Sequence, residues 1–169
     1  MDLDFQTPLL APLSAVEPCL LAPALVGLLA QNSTVLASAE LRSRLDDGNL
    51  VTREAFYVLR NDVFSTFSLR LLPRIAWTER VVWNRSTHAG TFVILPEVPA
   101  PLTQRVTCDG TYLLLPNEPS IGLTTRKVLG HLTIDAPFVG RRAEGLMSGV
   151  LKTFFQEEAA LLERLAKNR

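Results

Sequence analysis

The chain has 169 residues, 17 basic and 17 acidic side chains, 47% hydrophobic residues and two cysteines. That length suits one core, so residues 1–169 are expected to form a single domain. Zero net charge argues against a grip on a nucleic-acid backbone, and the apolar content excludes disorder. Cys19 and Cys108 have no CxxC or His-rich companion, so they read as free buried thiols, with no metal site, redox pair or cofactor expected. Asp2 and Asp4 stand where a signal peptide needs positive charge, and the apolar stretch from Leu20 to Ala30 is short and broken by Pro23. The chain therefore reads as cytoplasmic, without an integral membrane segment, although transient membrane contact is compatible with it.

In chain order, residues 2 to 11 open with alternation, Leu3 and Phe5 against Asp2, Asp4 and Gln6, which suits a first strand. Ser14 and Glu17 have the S-x-x-E spacing of a capping box, predicting a short helix. Pro18 and Pro23 then divide the next segment into two brief helices, the second spanning Ala24 to Ala30. From Thr34 the period becomes two, with Val35, Ala37, Ala39, Leu41 and Leu45 on one face and Ser38, Glu40, Arg42 and Arg44 on the other. Asp46-Asp47-Gly48-Asn49 is a tight turn, because these residue types tolerate positive φ, and residues 50 to 60 return as the partner strand. Residues 61 to 73 fit neither period and read as a loop or short helix.

Further strands are expected at Ile75 to Asn84, Gly90 to Leu95, Thr103 to Leu115 and Ile121 to Ile134. From Ala143, apolar residues recur through Leu146, Met147, Val150, Leu151, Phe154, Phe155, Leu161, Leu162 and Leu165. That i, i+3, i+4, i+7 pattern predicts one helical face running to about Lys167. The order is strand, two short helices, six strands and one long helix. It predicts an α+β fold, a curved six- or seven-stranded antiparallel sheet gripping the C-terminal helix.

This order resembles that of the START-like superfamily, also called helix-grip, SRPBCC or polyketide cyclase-like. The stretch from Arg105 to Leu165, with P-N-E-P, G-H-L-T-I-D-A-P-F-V-G and F-F-Q-E-E-A-A-L-L-E-R-L, is similar in pattern to an uncharacterised actinobacterial START-like family. It is more faintly similar to the mitochondrial intermembrane-space phospholipid-transfer proteins. The resemblance implies a cavity between sheet and last helix for a lipid, sterol, polyketide or plant hormone, gated by a loop and that helix.

No nucleophile elbow, H-E-x-x-H or Walker loop is present, so no catalytic residue is assigned. Polar residues within strands, Glu54, Tyr57, Glu79, Trp83, Arg105 and Tyr112, are candidates to orient a ligand. Ordinary cross-strand pairs or an exposed face are the simpler and favoured reading of each, and alternation leaves open which face is concave. His131 points either into the cavity or to solvent. His88 has turn surroundings and reads as an exposed bystander. The resemblance adds Met147, Val150, Leu151 and Phe154 as cavity lining.

The apolar loop carrying Phe64, Phe67 and Leu71 is a candidate gate or a completed piece of core. Arg141 and Arg142 lie at a helix start, where cations are disfavoured, so they are candidates for an anionic headgroup or a solvated pair. The expected function is non-enzymatic binding, transport or sensing of a hydrophobic small molecule or lipid. The alternatives are a cyclase- or dehydratase-type enzyme using His131, Glu54 or Tyr57, and a protein-interaction module without ligand. The sequence sets no oligomeric state.

Overall fold

The computed structural model describes residues 1–64, 75–97, 106–117, 122–135 and 140–168. The first strand is β1 (Asp2–Leu9), followed by helices α1 (Leu13–Leu20) and α2 (Ala24–Asn32). Six strands follow: β2 (Leu36–Asp46), β3 (Leu50–Leu59), β4 (Ala76–Asn84), β5 (Ala89–Pro96), β6 (Val106–Asn117) and β7 (Leu123–Ile134). A 3₁₀ turn, Asn61–Phe64, comes after β3, and the long helix α3 (Gly140–Lys167) closes the order. All seven strands join one antiparallel sheet in the order β1-β7-β6-β5-β4-β3-β2, with α3 on its concave face. The architecture is the expected α+β grip of a sheet around a terminal helix.

Local chemistry explains most boundaries. The β2–β3 turn places Gly48 at φ +92°, and Asp47 caps it by accepting the Leu50 N–H at 2.7 Å. Helix α1 starts differently from expectation. Pro12 precedes it without any side-chain cap, and Ser14 lies inside the first turn. Glu17 points to the sheet instead of capping the helix. Pro18 also sits inside α1 and does not break it; the interruption falls at Leu21–Pro23, where the chain bends by 88° into α2. Among the described residues no single helix is long and apolar enough to cross a membrane. The pair α1 and α2 has the length and composition together, but Val16, Leu20, Leu25, Val26 and Leu29 are buried in the core.

Strand β2 departs most from its simple alternation. Ala39 and Leu41 stand opposite Tyr57 and Ala55, but a register shift between Leu41 and Ser43 places Arg44 opposite Arg53. Such a bulge inserts one residue and exchanges the faces of everything beyond it. Leu45, expected with the apolar set, is consequently 67% exposed, whereas Arg44 turns toward the concave side.

The core lies between that side and α3. Phe154 packs edge-on to Tyr57 at 5.4 Å and Trp77 at 6.2 Å, while Phe155 meets Tyr112 at 5.9 Å. Phe92 stacks on Tyr112 at 4.5 Å. Its ring lies over the cross-strand glycine pair Gly110 and Gly130, where added Cβ atoms would stand 2.8 and 3.1 Å from it. Polar contacts at the C-terminal half of α3 fix its position. Glu157 accepts from the Ser33 hydroxyl at 2.5 Å and the Thr34 N–H at 2.8 Å, and Glu163 accepts from the Leu10 N–H at 3.0 Å.

Candidate functional site in the concave face

The inward positions of β3 and β4 carry more than hydrophobic residues. Arg53 donates to Glu79 at 3.0 Å, with only 10% and 3% of the two side chains exposed. Glu79 also accepts from the Tyr112 hydroxyl at 2.5 Å and the Tyr57 hydroxyl at 3.5 Å. One carboxylate on β4 therefore gathers a guanidinium and two phenols from β3 and β6, which is how a buried charge avoids an uncompensated desolvation penalty. Burial and then the negative charge of Glu79 raise both tyrosine pKa values well above 10.0. Burial opposes the charge on Arg53, but Tyr57 and Glu79 outweigh it and leave the pKa above its ordinary value.

A second buried pair lies deeper. Arg126 of β7 is bonded to Glu158 of α3, each 3% exposed, and its guanidinium lies 5.4 Å from the Tyr112 ring centre and 5.3 Å from that of Phe155. Burial pushes the Glu158 pKa up, against the opposing pull of Arg126. This pair ties the last helix to the sheet at the level of the aromatic core.

Helix α1 covers one end of the network. Arg53 reaches the Leu20 carbonyl at 3.5 Å, partnering a carbonyl that the helix end leaves free. Glu17 accepts the Trp83 indole N–H at 2.9 Å and lies 2.9 Å from Nδ1 of His88. His88 is no bystander, since it stands at φ 52° in the β4–β5 turn and meets α1 through that contact. Beneath the helix end is a partly open cleft of about 20 Å³, lined by Leu20, Leu21, Arg44, Val51, Arg53, Val81, Trp83 and Tyr112. That space takes about one water-sized group.

The expected site residues divide accordingly. Trp83 and Tyr112 line the cleft, and Tyr57 belongs to the network behind it. Val150, Leu151 and Phe154 are buried and Met147 is half-buried, but they pack the core beneath α3 and do not line this cleft. Two expectations are corrected. His131 is 57% exposed and lies 2.8 Å from Asp2 on the sheet's outer face, and Glu54 accepts from Arg80 at 2.9 Å on that same face. Arg141 and Arg142 are exposed on the first turn of α3, away from the cleft. Arg105, Phe67 and Leu71 lie outside the described residues, as does the side chain of Phe64.

Sequence reasoning missed Arg44, Arg53, Arg126 and Glu158. A signal for three of them exists. Arg53, Arg126 and Glu158 occupy positions at which the strand or helix period calls for an apolar residue. Arg44 had no such signal, because its face depends on the bulge.

No family model and no curated protein matches the chain. Solved structures do match along its whole length. The Zhui aromatase/cyclase of Streptomyces sp. R1128 aligns with TM-score 0.70 and 11% identity, covering 100% of this chain and 94% of that one. A Thermus thermophilus protein aligns with TM-score 0.67 and 16% identity over 99% of this chain and 98% of that one. A START superfamily protein of Mycobacterium smegmatis gives 0.63 and 10% over 97% and 98%. The chain has the START-like, helix-grip fold, as its element order implied.

Proposed function

We propose that the chain is a non-enzymatic carrier or sensor that binds a hydrophobic small molecule or lipid in the cleft between the end of α1 and the concave face of the sheet. The observation that carries this reading is the cleft itself, a partly open, mainly apolar space floored by a rigid, hydrogen-bonded polar network. Such a combination of apolar walls with a few fixed polar groups is what small-molecule sites need. Its present volume admits only part of a ligand, so the Leu20–Leu21 corner has to yield for the remainder. The fold shared with an aromatase/cyclase supports a ligand-holding interior without specifying chemistry.

The acid/base candidates favour binding over catalysis. His131 and Glu54 face outward, and Tyr57 is held protonated by burial beside Glu79. Glu79 itself is engaged by Arg53 and two phenols, leaving little freedom to move a proton.

Organic extraction of natively purified protein, followed by mass spectrometry, tests the reading. One hydrophobic compound at near-stoichiometric yield is expected from the wild type. It should be lost from a folded Val81→Phe variant, whose ring would fill the cleft. A folded wild type that yields nothing, and that binds no member of a hydrophobic compound library, would refute the proposal.

A further inference from the structure

Among the described residues three side-chain N–H groups are buried without an acceptor, Nε of Arg44, Arg53 and Arg126. Two of these arginines, Arg44 and Arg53, line the cleft. They are also direct cross-strand partners. Like charges placed opposite each other in a sheet repel, and buried donors without acceptors are costly, so a neutral or apolar pair would suit the fold better. Each arginine has one carboxylate partner, Asp46 at 2.6 Å from Arg44 and Glu79 at 3.0 Å from Arg53, and neither partner reaches the Nε groups. The bulge in β2 is what brings the pair about, since uninterrupted alternation would leave Arg44 on the outer face.

We infer that Arg44 and Arg53 form the head-group site of the cleft, and that the ligand is an amphipathic anion carrying a carboxylate or similar oxyanion on an apolar body. This rests on the proposed binding function and adds the chemical class. An oxyanion between the two guanidinium groups accepts from their N–H donors and offsets the repulsion between them. The apolar body lies along Leu20, Leu21, Val81 and Trp83. Because the small preformed space suits a head group, charge recognition comes first and the corner after α1 moves aside for the remainder.

A matched pair of fluorescent probes separates this inference from the broader one: 1-anilinonaphthalene-8-sulfonate, and N-phenyl-1-naphthylamine, which has the same apolar body without the anion. Wild-type protein should bind the sulfonate about tenfold more tightly, the equivalent of one charge-assisted hydrogen bond. Arg44→Met should remove that preference and leave the neutral probe within about twofold, while Arg44→Lys retains part of it. Arg80→Met, on the outer face where Arg80 is paired with Glu54, should change neither affinity. Equal binding of both probes, unaffected by Arg44→Met, overturns the anion site while the binding function stands. Equal loss of sulfonate affinity in Arg80→Met also overturns it, because the effect is then surface charge. Failure of the sulfonate alone to bind overturns the anion site, and failure of both probes to bind the folded wild type overturns both readings.

Discussion

Removing one charge from the Arg53–Glu79 pair should destabilise the protein more than removing both. At 3.0 Å, with the two side chains 10% and 3% exposed, the attraction in an effective dielectric near 20 is roughly 5.5 kcal/mol. Breaking such a buried pair from one side costs about 3–5 kcal/mol, because the remaining charge stays desolvated. Arg53→Met leaves the Glu79 carboxylate with only phenolic donors. Glu79→Gln leaves the guanidinium facing a neutral amide. The double variant Arg53→Met/Glu79→Gln has no buried charge at this point, and the amide oxygen still accepts from Tyr112, so its cost should fall to about 1–2 kcal/mol. Urea unfolding at pH 7, with slopes compared to confirm a common unfolded state, gives the three differences. For a chain of this size each single variant should melt roughly 10 °C below the wild type, and the double variant should melt above both singles. Additive losses, or a cost below about 1 kcal/mol for either single variant, would refute the claim that a desolvated ion pair organises this face.

Two further outcomes follow from other parts of the molecule. Gly145 lies within α3 where an added Cβ meets no atom within 4 Å, so Gly145→Ala should raise stability by up to about 1 kcal/mol in a thermal melt; a lower melting temperature would contradict the placement of this turn. The Arg85 side chain, then the Gly48 N–H, hold the Asp46 carboxyl well below its ordinary 3.8. A carboxyl with a depressed folded-state pKa contributes stability above the unfolded value and loses it as pH falls from 3.8 downward. Unfolding measured at pH 6 and pH 3 should therefore show a smaller acid loss for Asp46→Asn than for wild type, and parallel losses would remove Asp46 from the acid response.

Much of this fold is legible from periodicity. The apolar stripe of α3 that begins near Leu146 and Met147 leads to buried Phe154, Phe155 and Leu162, because a repeat sustained over several turns averages over single exceptions. The β2–β3 hairpin is equally readable, since Gly48 requires a conformation few other residues accept. The site is less legible, for identifiable reasons. Ser14 and Glu17 satisfy a capping-box spacing, yet the carboxylate gains more from Trp83 and His88, long-range partners that local spacing cannot reveal. The facing of Arg44 depends on one bulged residue, and a single such insertion reverses every later assignment in the strand. Tyr57, Trp83 and Tyr112 were identifiable as polar-tipped residues in strands, but not that Glu79 would draw both phenols into one network.

The neutral total charge of the chain takes on a different meaning once its distribution is known. Arg53 with Glu79 and Arg126 with Glu158 place four of its charges inside, where hydrophobic residues of similar volume would often be as stable or more so. The two pairs have different surroundings. Arg126 lies against the Tyr112 and Phe155 rings, and its buried pairing with Glu158 joins the last helix to β7. Arg53 lies at the edge of the aromatic core, in contact with the carbonyl that ends α1 and opposite a second arginine. A residue that at once anchors a buried carboxylate, caps a helix and lines a cleft couples those three features. Displacement of α1 by a ligand would act on Arg53 directly, and through Glu79 on both phenols. The polar network therefore supplies a physical route from cleft occupancy to the packing of the sheet, which a purely apolar interior of the same fold would lack.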